Sequence, residues 1–262
     1  MNLGLERKVA LVTAASRGLG RAVATELARE GAQVVVSSRD EGKLRTTATE
    51  IAKETGTKVA YFPADLSLEE DIGALVSYVV ERFGSVDVLI NNTGGPPAGG
   101  FEDFGDRAWR EVFELILLSV VRMVRGALPL MRNQGGGRIV NVASYSMKHS
   151  IENLILSNTF RTGLAGLAKS LAVELAPEGI LVNTLGPGYI STKRSASINE
   201  VQAQVQGVPV EEVRRQVEAQ IPLGRYGRPE EFAKVATFLA SPANGYVTGQ
   251  AILVDGGMVK TL

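Results

Sequence analysis

The 262-residue sequence contains no cysteine and one histidine, His149. Disulfides are excluded, and so is a structural zinc site built from Cys and His; only carboxylate-rich metal sites stay open, and no metal site is expected. Excess charge is missing too, since 28 Lys and Arg stand against 28 Asp and Glu. Nucleic acid or an anionic membrane surface calls for a basic footprint, so neither is expected as a partner, and a small-molecule substrate fits better. No run approaches the roughly 18 uninterrupted apolar residues of a membrane span. The opening MNLGLERKVALVTAAS lacks an apolar core bounded by a cleavage site, so the expectation is a soluble, cytoplasmic chain. Repeats, low-complexity tracts and charge runs are absent, and the Gly/Pro clusters at 94–100 and 135–137 are short enough for loops. With hydrophobic residues at 45%, a single domain over 1–262 is expected.

What is present is alternation. Short β-branched runs at 9–13, 34–36, 59–62, 86–90, 138–142, 180–183 and 251–254 read as seven strands. Helical patterns lie between them at 21–29, 43–54, 68–82, 106–132, 154–175 and 229–240. Strands apolar on both faces predict a doubly wound α/β fold, a mostly parallel sheet with helices on both faces, whose ligands bind beyond the carboxyl ends of the strands. The stretch 191–222 is polar and rich in Gln and Glu, with a helical pattern around 211–219, and reads as a substrate lid.

The first strand runs into Thr13-Ala14-Ala15-Ser16-Arg17-Gly18-Leu19-Gly20 and then directly into a helix. Glycines there let the backbone approach a pyrophosphate, and the helix start offers unpaired N–H groups to the anion. Thr13, Ser16, Arg17, Gly18, Leu19 and Gly20 are the expected cradle; the plain alternative is a Gly-rich turn that only connects strand to helix. An NAD site carries an acidic residue about 20 residues further on, for the ribose 2′-OH. Here the second strand ends Ser37-Ser38-Arg39 with no carboxylate. Arg39 and Arg17, with Ser38 beside them, suit a 2′-phosphate instead, which favours NADP(H) over NAD(H). The third strand ends at Asp65-Leu66, where Asp65 can accept from an adenine amino group. The fourth ends Asn91-Asn92-Thr93-Gly94, where Asn91 and Gly94 can line the adenosine ribose.

Together with Val182-Asn183-x-x-x-Pro187-Gly188 and Val254-Asp255-Gly256-Gly257, these motifs resemble the short-chain dehydrogenase/reductase family over essentially the whole chain. The resemblance implies a Rossmann-type seven-stranded sheet, a nicotinamide cofactor, hydride transfer to or from a carbonyl or alcohol, and a homodimer or homotetramer. It assigns Pro187, Gly188, Ile190 and Thr192 to the cofactor, the last two near the nicotinamide carboxamide. Ala14 departs from the family's first glycine, a swap expected to need a backbone without positive φ.

Similar proteins use a Ser after the fifth strand, a Tyr thirteen residues later, a Lys four beyond it and often an Asn on the preceding helix. Ser144 matches the serine, whereas the other positions hold Ser157, Arg161 and Ile116. A phenol can be tuned by a nearby cation into a useful acid or base; a serine alcohol cannot be moved that far. Arg161 lies one helical turn after Ser157 and can still hydrogen-bond a nicotinamide ribose and supply charge, but it releases no proton near neutrality. Ser144, Ser157 and Arg161 are the expected catalytic set, with Tyr145, His149, Glu152 or water as the proton donor. Tyr189 and Lys193 have the Tyr–Lys spacing but follow Pro187-Gly188 on a loop, so they are not read as the pair. Two functions follow: an NADP(H)-dependent oxidoreductase with an atypical centre, or a non-catalytic NADP(H)-binding sensor or assembly partner. The pattern from 106 carries Val112, Phe113, Leu115, Ile116, Leu118, Val120, Val121, Val124 and Leu128, more apolar surface than one helix face needs. Either a partner subunit or a thick monomer core could cover it.

Overall fold

Strands whose side chains are apolar on both faces are stable only when helices cover both, and the computed structural model, which describes residues 1–261, meets that demand. Seven strands, β1 (Val9–Val12), β2 (Gln33–Ser38), β3 (Val59–Pro63), β4 (Val88–Asn91), β5 (Gly137–Val142), β6 (Ile180–Pro187) and β7 (Ala251–Val254), form one sheet in the order β3-β2-β1-β4-β5-β6-β7. All are parallel, with Leu11 opposite both Val35 and Leu89 at the centre.

Nine α-helices lie among the described residues: α1 (Gly18–Arg29), α2 (Glu41–Thr55), α3 (Glu69–Phe83), α4 (Asp106–Phe113), α5 (Ser119–Asn133), α6 (Ile155–Leu175), α7 (Lys193–Gln206), α8 (Val210–Gln220) and α9 (Pro229–Leu239). On one face Leu27, Leu44, Ile51 and Phe232, from α1, α2 and α9, pack against Val12 and Val36. On the other, Leu75, Met123, Met131 and Leu164, from α3, α5 and α6, pack against Leu11 and Leu89. Each such buried side chain contributes on the order of 2 kcal/mol. The chain moves outward from β1 to β3, then returns to the other side of β1 as β4. That reversal opens a crevice above β1 and β4 at the carboxyl edge.

Three expectations change. The helix read as continuous over 106–132 is interrupted by a π-helical stretch, Glu114–Leu118, which contains Ile116. β6 extends to Pro187 because Thr184 to Pro187 pair with β7. The lid holds two helices, α7 being the unread one: Thr192 accepts from Ser195 N, Ser195 Oγ accepts from Thr192 N, and Gly207 ends the helix at φ +67°. Among the described residues no helix is long and apolar enough to cross a membrane.

Candidate functional site

The turn between β1 and α1 is held by its neighbours more than by itself. Thr13 Oγ1 donates to Asn92 O (2.7 Å) and accepts from Asn92 N (2.9 Å), tying β1 to the end of β4. Asn92 Nδ2 donates to Ala14 O at 3.2 Å, and a Cβ on Gly20 would sit 2.5 Å from that same oxygen. Only glycine allows this closeness. Ala14 has φ +45°, against the expectation that alanine here needs a negative φ; the bond from Asn92 to its carbonyl and the packing of Gly20 against it hold it in the left-handed region. Arg17 gives α1 no side-chain cap and its own side chain is exposed, so the first N–H groups of the helix face the crevice uncovered. Thr13 itself is buried, and its hydroxyl is spent between strands.

At the β2 end, Ser37 Oγ and Ser38 Oγ are buried without partners, and Arg39 is exposed with Nη1 3.9 Å from Asp65 Oδ2. Asp65 Oδ1 accepts from Ser67 N and Oγ, and Leu66 is buried. Asn91, expected to line the adenosine ribose, turns inward: its Nδ2 donates to Asn141 Oδ1 (2.9 Å) beneath the edge, and the residue is 2% exposed. It joins β4 to β5, leaving Thr93 and Gly94 at the surface of the crevice.

The opposite wall comes from β5 and α6. Ser144 Oγ accepts from Ser146 N (3.1 Å), and Ser146 Oγ lies 3.4 Å from Ser157 Oγ, so the two predicted serines meet through a third. Ser157 is 7% exposed. One turn along α6, Arg161 is buried and donates from Nη1 to Val142 O (2.6 Å) and from Nη2 to Thr93 Oγ1 (3.3 Å) and Gly94 O (3.4 Å). Burial, with a smaller contribution from the charge of Arg194, pushes its guanidinium down to about 10. It remains a cation at neutral pH, fixed under the join of the two walls. Tyr145 is half-buried, and burial, then the neighbouring Tyr189, pushes its phenol up. His149 stacks on Tyr145 with ring centres 6.5 Å apart and is exposed, as is Glu152.

A family model described as enoyl-(acyl carrier protein) reductase matches residues 13–259. The chain is 35% identical to the 3-oxoacyl-[acyl-carrier-protein] reductase of Aquifex aeolicus over 98% of its own length and 100% of the relative's. Among solved structures it matches L-sorbose reductase from Gluconobacter frateurii, complexed with NADPH and L-sorbose, with a TM-score of 0.96, 32% identity and full coverage of both chains. It also matches a variant actinorhodin polyketide ketoreductase with NADPH at 0.93 and 38%, covering 97% of this chain and 98% of that one. This chain belongs to the short-chain dehydrogenase/reductase family.

In this short-chain dehydrogenase/reductase the roof of the crevice is what the sequence reading missed. Tyr145, Tyr189 and Tyr226 form a run of rings with centres 6.1 and 5.6 Å apart, and Tyr226 Oη exchanges hydrogen bonds with Asn199 of α7. Across the crevice Trp109 and Phe160 pack at 5.8 Å. The Thr192 methyl lies 3.9 Å from where a Cβ on Gly18 would be. Ile190 is buried, its side chain packed against Gly227, with which it bridges. Pro187 and Gly188 lie at the β6 edge, Gly188 closely packed on Asp255. Tyr189 faces the aromatic roof while Lys193 begins α7 exposed, so the two do not form a pair on one helix face. Arg194, which no motif marks, crosses from α7 to Gly95 and Pro96.

Proposed function

We propose that this protein binds NADP(H) on the turn at Gly18 to Gly20 and interconverts a carbonyl and an alcohol at Ser144. The observation that carries it is the state of the crevice's polar groups: an uncapped helix start at the switch point of the sheet and, at the neighbouring β2 end, two buried unpartnered serine hydroxyls and an exposed arginine. These residues fit a phosphorylated dinucleotide: α1 faces the pyrophosphate, and Ser38 and Arg39, with Arg17, face a 2′-phosphate. Kinship with proteins solved with NADPH supports the same choice.

When bound, the cofactor supplies or accepts the hydride. Ser144 Oγ, already accepting from Ser146 N, keeps its own proton to donate to the substrate oxygen. Ser157 and Arg161 stand where the family pattern has its tyrosine and lysine. Ser157 is withdrawn against Ser146, and Arg161 holds a positive charge at the join of the walls without giving up a proton. Proton delivery to Ser144 then comes from water in the crevice, since burial makes the Tyr145 phenol a weaker acid and His149 and Glu152 are exposed. Exposed Phe113 on α4 and Val173 on α6 support a homodimer or homotetramer through those helices, although Val112, Ile116, Val120 and Val124 are already buried within the monomer.

The test is calorimetry with NADPH and NADH, followed by turnover on ketones, aldehydes, sugars and β-ketoacyl thioesters. NADPH uptake with reduction of at least one class is expected. Well-folded protein that takes up neither nucleotide overturns the proposal, and tight NADPH binding without turnover on any class replaces it with the sensor.

A further inference from the structure

Some helical arginines in this chain are paired one turn away: Arg107 meets Glu111, Arg110 meets Asp106, Arg214 meets Glu218 and Arg215 meets Glu212. Arg194 has no such pair. The residues one turn from it are Ile190, Ser191, Ser197 and Ile198, none of them acidic, and no carboxylate pairs with it among the described residues. Its guanidinium reaches off α7 to the far side of the crevice and lies so close over Gly95 that a Cβ there would collide with Nη2. What holds it is weak: Nη1 to Gly95 O at 3.5 Å and Nη2 to Pro96 O at 3.4 Å, both at the long limit for a hydrogen bond.

Its charged neighbours are of its own sign. Burial, then the charge of Arg17, lowers the Arg194 guanidinium's pKa, and Arg194 in turn contributes to lowering that of Arg161. Three guanidinium groups around one crevice, one from the glycine-rich turn, one from α6 and one from the lid, repel each other unless an anion lies among them. Thr192, two residues before Arg194, touches the space beside Gly18. Arg194 therefore stands on the open side of the position that the start of α1 faces from below.

We propose that Arg194 is a phosphate-binding residue carried by the lid, gripping the dinucleotide pyrophosphate from the side opposite α1. The assignment rests on the cofactor reading above. On binding, the two long bonds to Gly95 and Pro96 give way to shorter charge-assisted bonds to phosphate oxygens, and α7 is drawn onto the crevice. Because NADPH and NADH share the pyrophosphate, Arg194 strengthens both alike, whereas Arg39 acts on the 2′-phosphate alone.

The experiment compares wild-type protein with Arg194→Gln and Arg194→Lys by titration with NADPH and with NADH, and by limited proteolysis of the 193–220 segment with and without NADPH. Matched thermal melts establish that the variants fold, as expected for an exposed residue. Arg194→Gln is expected to weaken both nucleotides by about tenfold or more and to the same degree, with Arg194→Lys recovering part of the loss. NADPH is expected to protect the lid from cleavage in wild type and not in Arg194→Gln. Unchanged affinity for both nucleotides overturns the assignment, including the case where only the KM of an anionic substrate rises and Arg194 serves that substrate. A loss confined to NADPH overturns it in favour of the 2′-phosphate. Wild-type protein that binds neither nucleotide removes the cofactor reading and this one with it.

Discussion

On the β1 to β3 wall of the crevice, Arg17 and Arg39 reach solvent and Ser37 and Ser38 keep buried hydroxyls without partners. On the β5 and α6 wall, Ser144, Ser146, Ser157 and Arg161 are bonded to one another or to strand-end carbonyls. An unpartnered buried hydroxyl costs about 1–3 kcal/mol, so the first wall carries a penalty that a ligand can remove, whereas these four side chains of the second are already partnered. Under the proposed function, nucleotide affinity and chemical power rest on different walls. A change of side chains in the second then need not touch the first.

The sharpest way to break this comparison is to remove one arginine from each wall. Arg161→Ala leaves a cavity and strips the donors from Val142 O and Gly94 O, and is expected to lower unfolding stability by about 3 kcal/mol in urea titrations. Arg17→Ala is expected to stay within about 0.5 kcal/mol of wild type, as for an exposed side chain. Equal effects would mean that Arg161 is not built into the wall. Next comes Ser144→Ala, expected to reduce turnover on any accepted carbonyl about 100-fold, or some 2.7 kcal/mol, with the NADPH Kd unchanged. A fall in NADPH affinity instead would show that the walls are not separable.

Legibility in the sequence divides along similar lines. All seven strands were readable because each is apolar on both faces, and α8 because its pattern around 211–219 is amphipathic. α7 was not, since its large apolar residues Ile198, Val201 and Val205 are exposed and bury nothing that periodicity could register. Its signals were the Thr192 and Ser195 capping pair and the closing Gly207, which a search for caps would have found. The π-helical break at Glu114–Leu118 leaves no trace in residue pattern. At the site, Gly18, Arg39 and Ser144 stand at strand and helix ends, and Arg161 is found by its spacing from Ser144. Thr13 and Asn91 were assigned to the ligand because their side chains suit it, but strand-end side chains alternate in direction and these two point between β1, β4 and β5. Arg194 carried only a negative signal, the lack of an acid one turn away.

The first wall can be tested at its outer end. Arg39 is largely exposed and only loosely paired with Asp65 at 3.9 Å, so it gives up little to meet a phosphate. Arg39→Ala is expected to lower the NADPH to NADH affinity ratio about tenfold, near 1.4 kcal/mol, with stability unchanged. An unchanged ratio would assign the 2′-phosphate to another group and leave Arg39 as a solvated side chain.

The smallest effect belongs to Ala14, where the glycine-rich turn departs from the family pattern. An L-residue at φ +45° places its Cβ near its own following carbonyl, at a cost of roughly 1–2 kcal/mol relative to glycine. The neighbours pay this because Ala14 O is the acceptor for Asn92 Nδ2, and Gly20 packs against the same atom. Ala14→Gly relieves the strain but loosens the unfolded chain, so the net gain is expected to be about 0.5 kcal/mol, read as a rise of a degree or two in Tm. NADPH affinity is expected to hold, since the turn already has the conformation that glycine adopts freely. A loss of stability would mean that the alanine methyl makes a packing contact worth more than the strain it brings.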